Sequence, residues 1–172
     1  MEEKKKVKES KYSNRGPINL DSIPISDCEM ALEEFSDGSI GLEKCLRAMW
    51  QRGLKTYSCR ANYEEPYGIS HVTVEEGTDI FSYLSPIILN NDMVQIDIVD
   101  NKQTIRFAGK PAIREGAILD LVRAVSSGKK KHTKLLEEKI GKPFPESWLK
   151  EVENYYKNQE KTKLLLKNKN SQ

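Results

Sequence analysis

Leu46-Arg47-Ala48-Met49-Trp50-Gln51-Arg52-Gly53-Leu54-Lys55-Thr56-Tyr57-Ser58-Cys59-Arg60-Ala61-Asn62 reads as a helix that stops at a glycine and turns directly into a short strand ending at a cysteine. Just upstream, Leu42, Cys45, Leu46 and Met49 recur with the spacing of one helical face, behind Ser39 as the opening residue. Glu43 in the first turn and Arg47 and Arg52 near the end complement the helix dipole. Gly53 supplies the stop. A helix joined to a strand with no spacer fixes how the first helical layer meets the sheet, so the fold class turns on this stretch.

Outward from it, Cys28, Ala31, Leu32 and Phe35 predict a short helix over Cys28–Phe35, opened by Ser26 or Asp27 and followed by the Asp37-Gly38 turn. Downstream, Lys55–Arg60 and Tyr67–Val74 read as two strands joined through Tyr63-Glu64-Glu65-Pro66. Asp79 then caps a predicted helix over Ile80–Leu89, with Pro86 as an internal objection. Met93–Val99 and Thr104–Ala108 alternate apolar and polar residues as strands do, and Asp100-Asn101-Lys102 between them is hairpin-turn chemistry. An amphipathic helix over Ile113–Ser127 follows. Beyond Gly128 come a short helix through Leu135, Leu136 and Ile140, a rigid Pro143-Phe144-Pro145 break, and a long polar helix from Glu146 carrying Trp148, Val152, Tyr155 and Tyr156. The order predicts an α+β domain: a four-stranded, mostly antiparallel sheet with helices on one face and a C-terminal helical extension. One face of that sheet is then left for binding.

The chain has 172 residues, 37% hydrophobic and 31% charged, which suits one globular domain with polar extensions. The expected division is a disordered basic tail over residues 1–22, a core domain over 23–128 and a basic helical extension over 129–172. No apolar run reaches the ~18 residues that span a membrane, and no secretory signal is visible. Cys28, Cys45 and Cys59 are odd in number and widely spaced, which fits a reducing cytoplasm rather than a disulfide framework. The net charge of +2 hides an uneven layout. Residues 1–17 carry six Lys/Arg against three Glu, residues 18–128 ten against seventeen Asp/Glu, and residues 129–172 twelve against six. An acidic body with basic ends fits solvated tails, or a body that meets a basic partner while its lysines meet nucleic acid or an acidic one.

Cys59 is the first candidate for chemistry. A nucleophilic thiol needs a base within hydrogen-bond reach and a lowered pKa. His71 and His132 are the only histidines. If Arg60 pairs with Tyr67, His71 stands opposite Thr56 and Cys59 points to the other face; a one-residue slip reverses this. Against the enzyme reading, Cys59 reads as a small buried hydrophobe. Structural zinc is disfavoured because no close Cys/His pairs occur. Glu33-Glu34, Glu64-Glu65 and Glu75-Glu76 are adjacent pairs whose members point different ways, as solvated charge does rather than an acid/base pair. Asp97, mid-strand opposite the Ile96 face, is a candidate for a specific contact, as are Glu64 and Glu65 on the acidic body. No glycine-rich phosphate loop is present, and no cofactor or metal is expected. Lys129, Lys130, Lys131, Lys134 and His132 cluster at a helix start and are the candidate contacts to phosphate or an acidic partner.

Trp50, Gly53, Thr56 and Cys59 also carry a resemblance. The stretch from Leu46 to Asn62 resembles a group of small proteins on mobile elements of Gram-positive bacteria, with a Leu-x-x-x-Trp-x-x-Gly-Ile-x-Thr-x-x-Cys-Cys-x-Gly-His pattern. Here Leu54 replaces Ile, Ser58 replaces the first of the paired cysteines, and Ala61-Asn62 replace Gly-His. Asp79-Ile80-Phe81-Ser82-Tyr83-Leu84 and Asn91-Asp92-Met93-Val94 look like the same group. The departures remove what would make a thiol or metal site. Some mobile-element proteins of this kind are similar to inhibitors of bacterial defence, including anti-CRISPR proteins against type II RNA-guided nucleases. The resemblance therefore implies a non-enzymatic interaction protein. Its partner would be a host CRISPR effector protein–RNA complex, with DNA or RNA contacted through the Lys-rich C-terminal region. The other expectations are a stand-alone nucleic-acid-binding accessory protein and an enzyme using Cys59 and His71.

Overall fold

Helix α2 (Ile40–Gln51) begins where Ser39 accepts a hydrogen bond from the Leu42 amide, and it buries Leu42, Cys45, Leu46, Met49 and Trp50. This description comes from a computed structural model that covers residues 17–57, 59–62, 65–125 and 133–170. At the other end Gly53 takes φ +82°, and its amide donates to the Trp50 carbonyl while the Leu54 amide reaches back to Met49. These two bonds are a Schellman cap, which reverses the chain in one residue. The reversal brings Thr56 beneath the helix: the Trp50 indole N–H donates to Thr56 Oγ1 at 2.9 Å, with both residues buried. Phe35, from α1 (Cys28–Phe35), meets the Trp50 ring edge-on at 5.7 Å.

The sheet has three antiparallel strands in the order β1-β3-β2: β1 (Ser70–Val74), β2 (Val94–Val99) and β3 (Lys102–Phe107). β2 and β3 form a hairpin whose central residues Asp100 and Asn101 have φ of 52° and 64°. That is the primed turn whose twist matches paired strands. The expected fourth strand, Lys55–Arg60, is not a ladder. It lies along β1 through two isolated bridges, Thr56 to Val74 and Arg60 to His71. Four residue steps between Thr56 and Arg60 face three between His71 and Val74. One residue is extra, so the segment bulges and loses strand regularity. This also corrects the pairing considered for Arg60: its partner is His71, not Tyr67.

Helices cover one face. Val72, Val74, Val94, Ile96, Ile105 and Phe107 point into a core shared with α1, α2 and α3 (Pro111–Ala124), which packs closely on α2. Gly41 permits that packing: Glu115 of α3 accepts from the Gly41 amide at 2.5 Å and from the Ser39 hydroxyl, and a Cβ on Gly41 would lie 2.6 Å from its carboxylate. The carboxylate thus caps α2 at its positive end.

Three other expectations shift. The helix expected over Ile80–Leu89 is two 3-10 turns, Ile80–Tyr83 and Pro86–Asn90. Pro86 holds Ser85 extended, and the break lets Leu84 bridge Val125. That bridge also ends α3 at Ala124, short of Ser127. Within the expected N-terminal tail, Ile18 is buried and exchanges both backbone hydrogen bonds with Thr56, and Asn19 Nδ2 donates to the Gly53 carbonyl at 3.0 Å. These residues brace the helix-to-strand turn. At the C-terminal side, α4 (Thr133–Glu137) puts Leu136 into the core, and Ile140 bridges Ile96 in parallel at the free edge of β2. The long α5 (Glu146–Asn170) docks through Trp148 and Tyr155 against Tyr67. The aromatics Trp148 and Tyr155 therefore pack on the body, while Tyr156 is half-exposed.

Replacing Thr56 with Val keeps the shape but leaves a buried indole N–H unpaired, and we expect a loss of about 1–3 kcal/mol. Thr56→Ser, which restores the acceptor, should recover much of it. Denaturant unfolding of the three proteins measures the difference; equal midpoints for wild type and Thr56→Val would show that the bond contributes nothing.

Candidate functional site

Side chains alternate across a strand, so the register decides which residues meet on the face away from the helices. His71 of β1 stands opposite Arg106 of β3, and Gln95 of β2 stands opposite Arg106 on the other side. The bridge adds Arg60 beyond His71. Arg60, His71, Arg106 and Gln95 therefore form one row across the sheet, in which each side chain carries at least one hydrogen-bond donor. The next row is Thr73, Thr104 and Asp97, with the two threonine hydroxyls 3.2 Å apart. Asp97 accepts from Arg106 Nη1 and pairs with it as a salt bridge. At the margin, Lys102 Nζ sits 4.5 Å from the Tyr57 ring centroid and pairs with Glu76.

Burial and two guanidinium neighbours tune the row. His71 is held below its ordinary pKa of 6.5, first by burial, then by Arg106 and Arg60, with Asp37 opposing. It is therefore neutral at pH 7, able to donate and accept, between two permanent cations. The arrangement suits recognition of an anionic, multiply accepting group such as phosphate or carboxylate.

Cys59 is elsewhere. It is 6% exposed and lies in the core, on the side opposite the Arg60 and His71 side chains. Its thiol is pushed well up by burial, and further by Cys45 and Asp37. Cys45, fully buried, is pushed up to about 12 by burial alone. Neither thiol is set for nucleophilic work, and the geometry does not bring Cys59 and His71 together. Among the described residues, no three His, Cys, Asp or Glu side chains are grouped to hold a metal, and no helix is long and apolar enough to cross a membrane.

The remaining expected site residues are dispersed. Glu64, Lys129, Lys130, Lys131 and His132 lie outside the described residues. Lys134 is exposed on α4. Glu65 is exposed, but its carbonyl is taken by Arg114 Nη2 at 2.5 Å. Only Asp97 falls within the row-and-pair arrangement. Arg60, Arg106, Gln95 and Arg114 were not foreseen. Arg114 had a signal: it sits on the apolar stripe of α3 with Ala117, Ile118 and Leu121. It is 1% exposed, and its guanidinium holds the Asn62 and Glu65 carbonyls. Burial lowers its pKa, with Glu65 and Glu115 opposing. It is a structural cation that ties the turn before β1 to α3.

Comparison of the chain with protein-family models, with curated proteins and with solved structures gives no match.

The depressed His71 gives a pH signature. Its folded pKa lies below the unfolded value, so folding disfavours its protonation. The penalty is absent above pH 6.5 and grows as pH falls toward the folded pKa. Wild type should therefore lose stability relative to His71→Gln as pH drops below 6.5. Parallel curves of urea midpoint against pH for the two proteins would contradict this.

Proposed function

We propose that this chain is a non-enzymatic interaction protein that engages a nucleic-acid-handling complex of a host cell and inhibits it. The observation that carries the proposal is the Arg60-His71-Arg106-Gln95 row on the sheet face opposite the helices. Such a row offers fixed donors to phosphate oxygens without any nucleophile or paired acid and base beside it. The most concrete version, an anti-CRISPR inhibitor of a type II RNA-guided nuclease, draws its support from the Trp50-Gly53-Thr56-Cys59 motif. Those effectors hold a guide–target duplex in a cationic channel. The acidic body is complementary to the channel wall, while the donor row and the C-terminal lysines, with Lys134 among them, are complementary to the nucleic acid.

The test is co-purification with a type II effector–guide complex together with a DNA-cleavage assay. Bound protein and suppressed cleavage are expected. Reversing the exposed Arg60 with Arg60→Glu should weaken binding about tenfold, or about 1.4 kcal/mol. Undiminished cleavage with no binding would remove the concrete version.

The same row favours a second reading, a protein that binds RNA or DNA alone. In that case affinity for naked nucleic acid falls steeply with salt, and Arg60→Glu flattens the slope. Alanine at Lys129, Lys130, Lys131 and Lys134 should weaken it further. Binding indifferent to salt and to these substitutions would reject the nucleic-acid assignment.

A further inference from the structure

Helix α5 runs well past the surface on which it docks. From Tyr156 to Lys169 every residue is exposed, a length of about 21 Å at about 1.5 Å per residue. Near its end Leu164, Leu165 and Leu166 are 60%, 65% and 57% exposed. Lys157, Lys161, Lys163, Lys167 and Lys169 surround them, against Glu160 alone. A helical segment of this length is marginal in water by itself, and three bare leucines add nothing to solubility.

The same chain carries a complementary groove. Gly77, Thr78 and Asp79, the β2–β3 turn and the end of α4 enclose a depression of about 570 Å³. Its floor is Phe81, Ile98 and Ile140, with Ile98 47% exposed, and among the described residues its lining includes Asp79 and Glu137 and no cation. A second depression, of about 460 Å³, sets Lys139 and Lys142 beside Asp92 and Glu138, so it offers the lysine-rich arm no net acidic surface. The arm does not reach its own groove by bending. α5 starts beside Met93 and Ala108 at one end of the strands, whereas the groove sits at the Asn101 turn at the other.

We infer that the leucine tip of α5 docks in the Phe81-Ile98-Ile140 groove of a second copy of this chain, with its lysines against Glu137 and Asp79. Each copy has one arm and one groove, so a two-fold pair satisfies both at once and closes. A membrane surface fits less well. Three consecutive leucines spread around the helix rather than forming the single stripe that lies flat on lipid. A nucleic-acid strand offers the leucines no apolar partner. The inference is independent of what the donor row binds.

Light scattering of the full chain over a wide concentration range tests it. We expect a mass of twice 19.7 kDa for wild type, halved by Leu165→Glu on the arm and halved by Glu137→Lys in the groove. Both positions are exposed, so the fold is retained, which circular dichroism checks. Mixing the two variants leaves one intact arm and one intact groove per pair and should restore the doubled mass. A wild type that is monomeric throughout would overturn the inference. So would doubled mass in both variants, or no recovery on mixing. Capture of monomeric wild type, but not Leu165→Glu, by anionic vesicles would overturn it in favour of lipid.

Discussion

The hydrogen bond from the Trp50 indole to Thr56 Oγ1 is the constraint on which the rest depends. It is short-range in sequence but joins two layers. Trp50 belongs to the helical layer and packs on Phe35. Thr56 belongs to the sheet side, where its backbone bridges Ile18 on one side and Val74 on the other. Gly53 makes the bond possible, because only a reversal through positive φ returns the chain beneath the helix within so few residues. Trp, Gly and Thr at this spacing are therefore one device. The device is a fastening, and Cys59 follows it as a core side chain.

From that fastening the position of the donor row follows. The segment leaving Thr56 is clamped at one end by its bridge to Val74 and at the other by the Arg60–His71 bridge, with a bulge between. The bulge shifts the register by one residue. Cys59 turns into the core, and Arg60 turns out beside His71. The two edges of the sheet are then shielded, one by this segment and one by Ile140. Shielded edges leave strand addition little purchase. The row of Arg60, His71, Arg106 and Gln95 lies on the face away from that core.

Much of this was legible in the sequence, and the misses have physical causes. α1 and α2 were readable because helical periodicity and capping are local, and the β2–β3 hairpin because Asp100-Asn101 tolerates positive φ. Lys55–Arg60 looked like a strand because its residues suit one; what undid the ladder was a one-residue mismatch with a partner segment, which no local pattern records. Ile80–Leu89 looked helical because its apolar spacing is right, and Pro86 decided against it. The donor row was illegible for the same reason as the bulge. Asp97 and His71 could be named singly, but Arg106 and Arg60 join them only once cross-strand pairing is known.

Three guanidinium groups differ in burial and in what they pair with. Arg114 shows the structural use: a buried cation spent on two carbonyls of its own chain, at a desolvation cost that restrains the Asn62–Glu65 turn. Arg106 shows the intermediate use. It is half-buried and paired with Asp97, so it is oriented before any partner arrives. Arg60, exposed at the end of the row, keeps its charge in solvent, where a charge contributes little to the stability of the fold. Ordered from Arg114 through Arg106 to Arg60, the guanidinium passes from buried and holding the scaffold, to half-buried and paired, to exposed. A chain whose net charge is only +2 can therefore present a locally cationic row on an acidic body. The row's spacing across the sheet is set by strand register and by the Trp50–Thr56 fastening.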